Sequence, residues 1–172
     1  MQLILFDLDQ TLLDTAMLRP MASVHDWAGV RASIDKATEY IDSNGMRSHE
    51  LPTLLSNRND VTCGIVTNSP RWYAEYLIEK FRIKISVVVT STDCVHPKPS
   101  PEPIVRAMNI AKFVRENTVF VGDSTDDLNA SIDADVRFVG AVWLNRELAG
   151  LAETLSVFES PTDFLEHVNA NR

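Results

Sequence analysis

The sequence has little cysteine and a deficit of positive charge. Its two cysteines, Cys63 and Cys94, lie in a strand-like run and in a loop, so neither a disulfide framework nor a cysteine metal cluster is expected. The 16 basic residues against 24 acidic ones give a formal net charge of -8, which provides no basic field for nucleic acid or an anionic membrane surface. We therefore expect a bound cation as partner, with no nucleic acid and no membrane.

Long apolar runs are also absent. The N-terminal run from Leu3 to Phe6 is too short for the core of a signal peptide, and no later run approaches the length of a membrane span. A cytoplasmic protein is therefore expected. With 172 residues, of which 45% are hydrophobic and 23% charged, the chain can bury a substantial core, most simply as one domain that carries a small insertion.

The chain does contain a regular alternation of short apolar runs and helical patterns. Runs rich in Val or Ile predict strands at residues 3–6, 63–68, 86–90, 118–122 and 137–143. Helical patterns begin near Pro70, Ser100 and Ser124, and a last capped helix is expected after Ser160. This order predicts an α/β fold in which a doubly wound, Rossmann-like parallel sheet is covered by helices on both faces.

The segment between the first two strands follows a different pattern. Its apolar residues recur at steps of three and four, as in an amphipathic helix: Trp27, Val30, Ile34, Ala37 and Ile41. We predict that residues 16–59 form a small helical cap insertion over the carboxyl end of the first strand, with residues 1–15 and 60–172 as the catalytic core. Residues of the apolar stripe are expected to serve core packing.

The carboxyl ends of the predicted strands carry polar groups, at the edge where open parallel sheets bind ligands. These groups are Asp7, Asp9, Thr67, Asn68, Ser69, Lys98, Asp123 and Asp127. Clustered carboxylates repel each other unless a cation lies among them, and Mg²⁺ prefers such oxygen ligands. With a lysine and a hydroxyl beside it, Mg²⁺ would form a binding site for a phosphoryl group. One carboxylate can then attack phosphorus while another transfers protons.

Four fragments, "FDLDQTLLDT", "VTNS", "KPSPEP" and "VGDSTDD", follow these strands in this order. They resemble the four motifs of the haloacid dehalogenase-like superfamily of hydrolases, and more closely its phosphatases of the phosphoglycolate phosphatase type. The resemblance spans Phe6 to about Ala134. It implies that Asp7 is the nucleophile and that Asp9 is the general acid and base, with its backbone carbonyl on the metal. A second aspartate at this place points to phosphoester chemistry and away from carbon–halogen cleavage.

The remaining motifs imply further roles. Thr67 and Lys98 would hold the phosphoryl oxygens, and Asn68 is a further candidate for substrate binding. Asp123 would ligate Mg²⁺, and Asp127 would support the metal either directly or through water. The metal set expected from the resemblance is therefore Asp7, Asp9, Asp123 and Asp127.

The expected activity is a Mg²⁺-dependent phosphatase that hydrolyses a phosphate monoester through an aspartyl-phosphate intermediate. A small-molecule phosphate ester is the first expectation. Because the insertion is shorter than the cap of the phosphoglycolate phosphatase group, a phosphoprotein substrate is also compatible. Two alternatives stay open: a phosphosugar mutase on the same fold, and a non-enzymatic phosphoryl-binding or regulatory domain. The oligomeric state is left open, because a short cap could be completed by another subunit.

Overall fold

The computed structural model describes residues 1–43 and 48–170. The predicted cap insertion therefore contains a stretch, residues 44–47, that lies outside the described residues, as do residues 171–172 of the predicted core. Within the described ranges the chain forms a parallel sheet with helices on both faces, which confirms the predicted fold class.

The sheet has six parallel strands in the described part of the chain, in the order β3-β2-β1-β4-β5-β6. The strands are β1 (Gln2–Phe6), β2 (Val61–Val66), β3 (Val87–Val89), β4 (Thr118–Gly122), β5 (Arg137–Ala141) and β6 (Val157–Phe158). The sixth was not predicted, because two residues are too few to show a periodic pattern. Phe6, the last residue of β1, is in register with Ile65 of β2 and Val121 of β4. The polar residues that follow these three strands therefore meet at one edge.

The helices begin close to the predicted positions. They are α1 (Arg19–Ala22), α2 (Trp27–Ser43), α3 (Leu51–Leu55), α4 (Arg71–Lys80), α5 (Glu102–Ala111), α6 (Thr125–Asp133) and α7 (Pro161–Ala170). Short 3₁₀ turns cover Ser48–Glu50, Ser91–Asp93, Arg115–Asn117 and Ala149–Leu151. No helix in the described ranges combines the length and the apolar character needed to cross a membrane.

Alternate residues of β1 face opposite layers of the core, as strand geometry requires. Ile4 and Phe6 belong to one cluster, into which α2, α3, α4 and α7 send their apolar side chains. Leu3 and Leu5 belong to the other cluster, which α5 and α6 complete. Phe164 of α7 packs edge-on against Phe6 with ring centres 6.2 Å apart. The two layers fix β1 at the centre of the sheet and therefore fix the position of the residues that follow it.

The apolar stripe of α2 is mostly core, as predicted. Val30, Ile34, Ala37 and Ile41 are buried in the first cluster, whereas Trp27, at the start of the helix, is only partly buried. The following helix α3 packs against β2 and α7. The division between core and cap at residue 59 stays a prediction.

Candidate active site

Lys98 lies between two carboxylates at the carboxyl edge of the sheet. Its ammonium group donates to Oδ1 of Asp7 at 2.7 Å, to Oδ1 of Asp127 at 2.6 Å and to the carbonyl of Val66 at 3.1 Å. Burial alone would lower the pKa of Lys98, but Asp127 and Asp7 raise it above its ordinary value. The sequence-predicted lysine and two of the predicted carboxylates therefore meet as one buried, charged group.

Asp123, at the end of β4, is oriented by two neighbours that the sequence did not reveal. The hydroxyl of Thr11 donates to its Oδ1 at 3.0 Å, and the amide of Asn145 donates to its Oδ2 at 2.7 Å. Thr11 is itself fixed, because its carbonyl accepts the indole N–H of Trp143 at 2.8 Å. The loops after β1 and β5 thus hold the carboxylate of Asp123 in place.

The N-terminus of α6 positions Asp127. Ser124 is the N-cap of a capping box: its side-chain oxygen accepts the backbone N–H of Asp127, and the Asp127 carboxylate accepts the backbone N–H of Ser124. Oδ2 of Asp127 also accepts the backbone N–H groups of Asp123 and Ser124, at 3.2 and 3.1 Å. A Cβ at Gly122 would lie 2.6 Å from the Asp127 side chain, so this close approach requires glycine.

Three carboxylates offer oxygen atoms that lie within 4.8 Å of one another: Asp7, Asp123 and Asp127. Burial, and after it the repulsion from Asp127 and Asp123, raises the pKa of Asp7 well above its ordinary value, although Lys98 opposes this. Burial and Asp127 raise the pKa of Asp123 to about 6. Lys98 offsets only one of three negative charges, so a divalent cation with a preference for carboxylate oxygen fits this donor set.

The side chain of Asp9 lies in a different environment. Its Oδ1 accepts hydrogen bonds from the hydroxyls of Thr15 and Tyr73, both at 2.7 Å, and its Oδ2 accepts one from Ser69 at 2.7 Å. Burial and the charge of Asp9 raise the pKa of Tyr73 well above its ordinary value, so the phenol stays a donor. The predicted metal contact of Asp9 was through its backbone carbonyl, and it stays a prediction.

Thr67 and Asn68 follow β2 at the same edge. Thr67 is buried, and its hydroxyl oxygen accepts the backbone N–H of Ser69 at 3.1 Å. The side-chain amide of Asn68 holds the backbone of Lys98 from both sides: its Oδ1 accepts the Lys98 N–H at 2.9 Å, and its Nδ2 donates to the Lys98 carbonyl at 2.8 Å. This geometry supports a role for Asn68 in positioning the lysine, and its predicted contact with substrate stays a prediction.

A cavity of about 460 Å³ opens over these groups. All seven predicted site residues line this cavity: Asp7, Asp9, Thr67, Asn68, Lys98, Asp123 and Asp127. Its outer wall comes from the segment between β1 and β2: Leu18, Arg19, Ala22, Ser23, His25 and Trp27. A volume of this size is in the range of small-molecule sites.

Comparison with known proteins gives a family for this fold and site. Residues 45–141 match the model of the haloacid dehalogenase-like hydrolases, which is more than half of the chain. A phosphoglycolate phosphatase from Salmonella choleraesuis is 31% identical over 113 residues, covering 63% of this chain and 45% of the relative. The pyrophosphatase PpaX from Oceanobacillus iheyensis is 33% identical over 91 residues, covering 52% of this chain and 42% of the relative.

Among solved structures, a hydrolase from Pseudomonas syringae superposes with a TM-score of 0.73 at 18% identity, and the match covers 99% of both chains. This similarity concerns the fold. The chain spans less than half the length of the two relatives described above. The protein belongs to the haloacid dehalogenase-like hydrolase family, as the order of its four motifs predicted.

Proposed function

We propose that this protein is a Mg²⁺-dependent phosphatase that hydrolyses a phosphate monoester through an aspartyl-phosphate on Asp7. The proposal rests on one observation: Asp7 and Asp9 are two residues apart in the sequence, but their carboxylates lie in different environments. Asp7 contacts Lys98 within the acidic cluster, whereas Asp9 is bonded to three hydroxyl groups. One environment suits a nucleophile beside a metal, and the other suits a proton carrier.

In the first half-reaction a carboxylate oxygen of Asp7 forms a bond to phosphorus while the bond to the ester oxygen breaks. Asp9 gives a proton to that leaving oxygen, and Lys98 and the hydroxyl of Thr67 hold the phosphoryl oxygens. In the second half, Asp9 takes a proton from water as the water oxygen bonds to phosphorus, and Asp7 is released. Asp7, Asp123 and Asp127, with the backbone carbonyl of Asp9, would hold Mg²⁺, which would supply positive charge to the phosphoryl oxygens.

The remaining parts of the proposal concern the setting of the reaction. We propose a small-molecule phosphate ester as substrate, which accords with the similarity to a phosphoglycolate phosphatase. A phosphoprotein substrate stays compatible with the short cap. Residues 16–59 would act as the cap over a core formed by residues 1–15 and 60–172, in a cytoplasmic protein.

The test is phosphate release from a generic aryl phosphate in the presence of Mg²⁺ or of a chelator. The native protein should turn over only with Mg²⁺, and Asp7→Asn should lower kcat by roughly 10³-fold or more, as loss of a nucleophile does. Asp133→Asn removes a carboxylate at the exposed end of α6 and serves as the matched control. An Asp7→Asn variant that keeps activity within about tenfold of native would contradict the proposal.

The two alternatives differ from the phosphatase in the fate of the phosphoryl group. A phosphosugar mutase would return it to the sugar product, which isotopically labelled phosphate would reveal. A phosphoryl-binding regulatory domain would bind a phosphate analogue without releasing inorganic phosphate from any ester. Net phosphate release that depends on Asp7 distinguishes the proposed reaction from both.

A further inference from the structure

One side of the cavity is lined by a row of rings. His25, Trp27 and Tyr73 all border the cavity, and we call these three residues the ring wall. The ring centres of His25 and Trp27 lie 6.4 Å apart, and those of Trp27 and Tyr73 lie 6.2 Å apart. Both distances are within the range of direct ring pairs. The three rings therefore form one packed row, in which Tyr73 is buried, Trp27 is partly buried and His25 is exposed.

The ring wall is supported from behind. Trp72 packs edge-on against both Trp27 and Tyr73, with centres 6.4 and 5.8 Å apart, and the Arg31 guanidinium lies 4.2 Å from the centre of the Trp72 ring. Trp27 itself is only partly buried, unlike Val30 on the next turn of the same helix. Trp27 is thus held in place by packing on one side while the other side borders the cavity.

The ring wall lies where the leaving group of a phosphate ester would be. A general acid must be within hydrogen-bond reach of the oxygen that it protonates. The proposed acid, Asp9, is bonded to the hydroxyl of Tyr73 at 2.7 Å. The ring of Tyr73 in turn touches that of Trp27. A group carried by the ester oxygen can therefore extend past Tyr73 toward Trp27 within the same cavity.

We infer that the ring wall binds a planar ring in the alcohol part of the substrate. The substrate class is then a phosphate monoester whose alcohol carries an aromatic or heteroaromatic ring within a few bonds of the ester oxygen. This inference rests on the proposed phosphatase function, because it uses Asp9 as the acid.

The test compares benzyl phosphate with cyclohexylmethyl phosphate. Both esters have the same CH₂–O–P linkage and similar bulk, so their chemical steps are matched and the planar ring is the difference. The native protein should favour benzyl phosphate in kcat/KM by roughly twofold to tenfold, the range that ring pairs give beyond apolar contact. Trp27→Leu should remove this preference and Trp27→Phe should keep it. Tyr40→Leu, which removes an exposed ring from the same helix, should leave it unchanged.

The outcomes separate this inference from the proposed function. If both esters are hydrolysed equally well, or if Trp27→Leu keeps the preference for benzyl phosphate, the ring wall does not bind the ring of the substrate. The phosphatase proposal stands in either case. If neither ester is hydrolysed, benzylphosphonate and cyclohexylmethylphosphonate are titrated in the presence of Mg²⁺ by calorimetry. Tighter binding of the benzyl compound that Trp27→Leu abolishes would support the ring wall, while equal affinities or no binding of either would overturn it.

Discussion

Replacement of Lys98 by methionine tests how the buried charges are balanced. The lysine side chain is 3% exposed and contacts Asp7 and Asp127, whose side chains are 10% and 1% exposed. Methionine has a similar length but carries no charge, so the substitution leaves two carboxylates facing each other at buried positions. Removal of one partner of a buried ion pair typically costs about 3–5 kcal/mol of unfolding free energy.

Protonation sets an upper bound on this cost. A carboxyl group with the ordinary pKa of 3.8 takes up a proton at pH 7.5 at a cost of about 5 kcal/mol, at 1.36 kcal/mol per pH unit. The variant can relieve the repulsion by taking up one proton, so its loss of unfolding free energy should not exceed the cost of that protonation. For a chain of this size the expected loss corresponds to a fall in Tm of roughly 6–20 °C.

The assay is urea denaturation at pH 7.5 in chelator and again with Mg²⁺. The loss should be smaller with Mg²⁺, because a cation held by Asp7, Asp123 and Asp127 replaces part of the missing charge. The double variant Lys98→Met with Asp127→Asn should recover part of the stability in chelator, and Lys36→Met, at an exposed position of α2, is the matched control. A loss below about 1 kcal/mol for Lys98→Met in chelator would refute this account of the buried pair.

Three more predictions concern the groups around the acidic cluster. Asn145→Ala removes the 2.7 Å bond to Asp123 and should weaken Mg²⁺ binding roughly 10- to 100-fold in calorimetry. Gly122→Ala places a Cβ 2.6 Å from the Asp127 side chain and should cost about 1–3 kcal/mol in urea denaturation. In chelator, the pKa of Asp123 is about 6 in the folded state against 3.8 ordinarily, so the folded state binds more protons between these values. The free energy of unfolding should therefore fall as the pH rises from about 4 to about 6.

Each of these predictions has a matched control. Asn129→Ala removes an exposed amide from α6 and should leave Mg²⁺ affinity unchanged. Gly150→Ala should cost little, because a Cβ there meets nothing within 4 Å. For the pH effect, Asp123→Asn should reduce the slope, and the raised pKa of Asp7 leaves the remainder. A variant that keeps the full slope, or a native protein whose stability rises over this interval, would show that another group is responsible.

The predicted site residues that the structure brings to one cavity share one property: each lies in a segment that follows a strand of the sheet. Short apolar runs locate the strands, and parallel strands bring their carboxyl ends to one edge. Asp7 and Lys98 were predicted to meet on this basis although they are 91 positions apart, and the structure places them 2.7 Å apart. The sheet brings these residues together, so no fixed spacing along the chain is needed to predict that they meet.

The residues that the sequence did not reveal depend on side-chain contacts instead. Tyr73 lies in α4 and Asn145 in the loop after β5, and neither stands in a fixed spacing to the aspartate that it contacts. Trp27 belongs to the apolar stripe of α2, where periodicity predicts core packing. Its exposure to the cavity follows from its place at the first turn of the helix, beyond the cover of the sheet. Periodicity defines the face of a helix but not where along that face the core ends.

The turn between Asp7 and Asp9 explains why the two carboxylates of one motif have different hydrogen-bond partners. In a continuing strand, residues two apart point to the same side and would bring both carboxylates to Lys98. The strand ends at Phe6, however, and the N–H groups of Leu12 and Leu13 both return to the carbonyl of Leu8. This turn directs Asp9 toward the hydroxyls of α4 and its neighbours while Asp7 stays at the sheet edge. The local backbone, and not the order of residues, gives the two carboxylates different partners, as the proposed reaction requires of a nucleophile and a proton carrier.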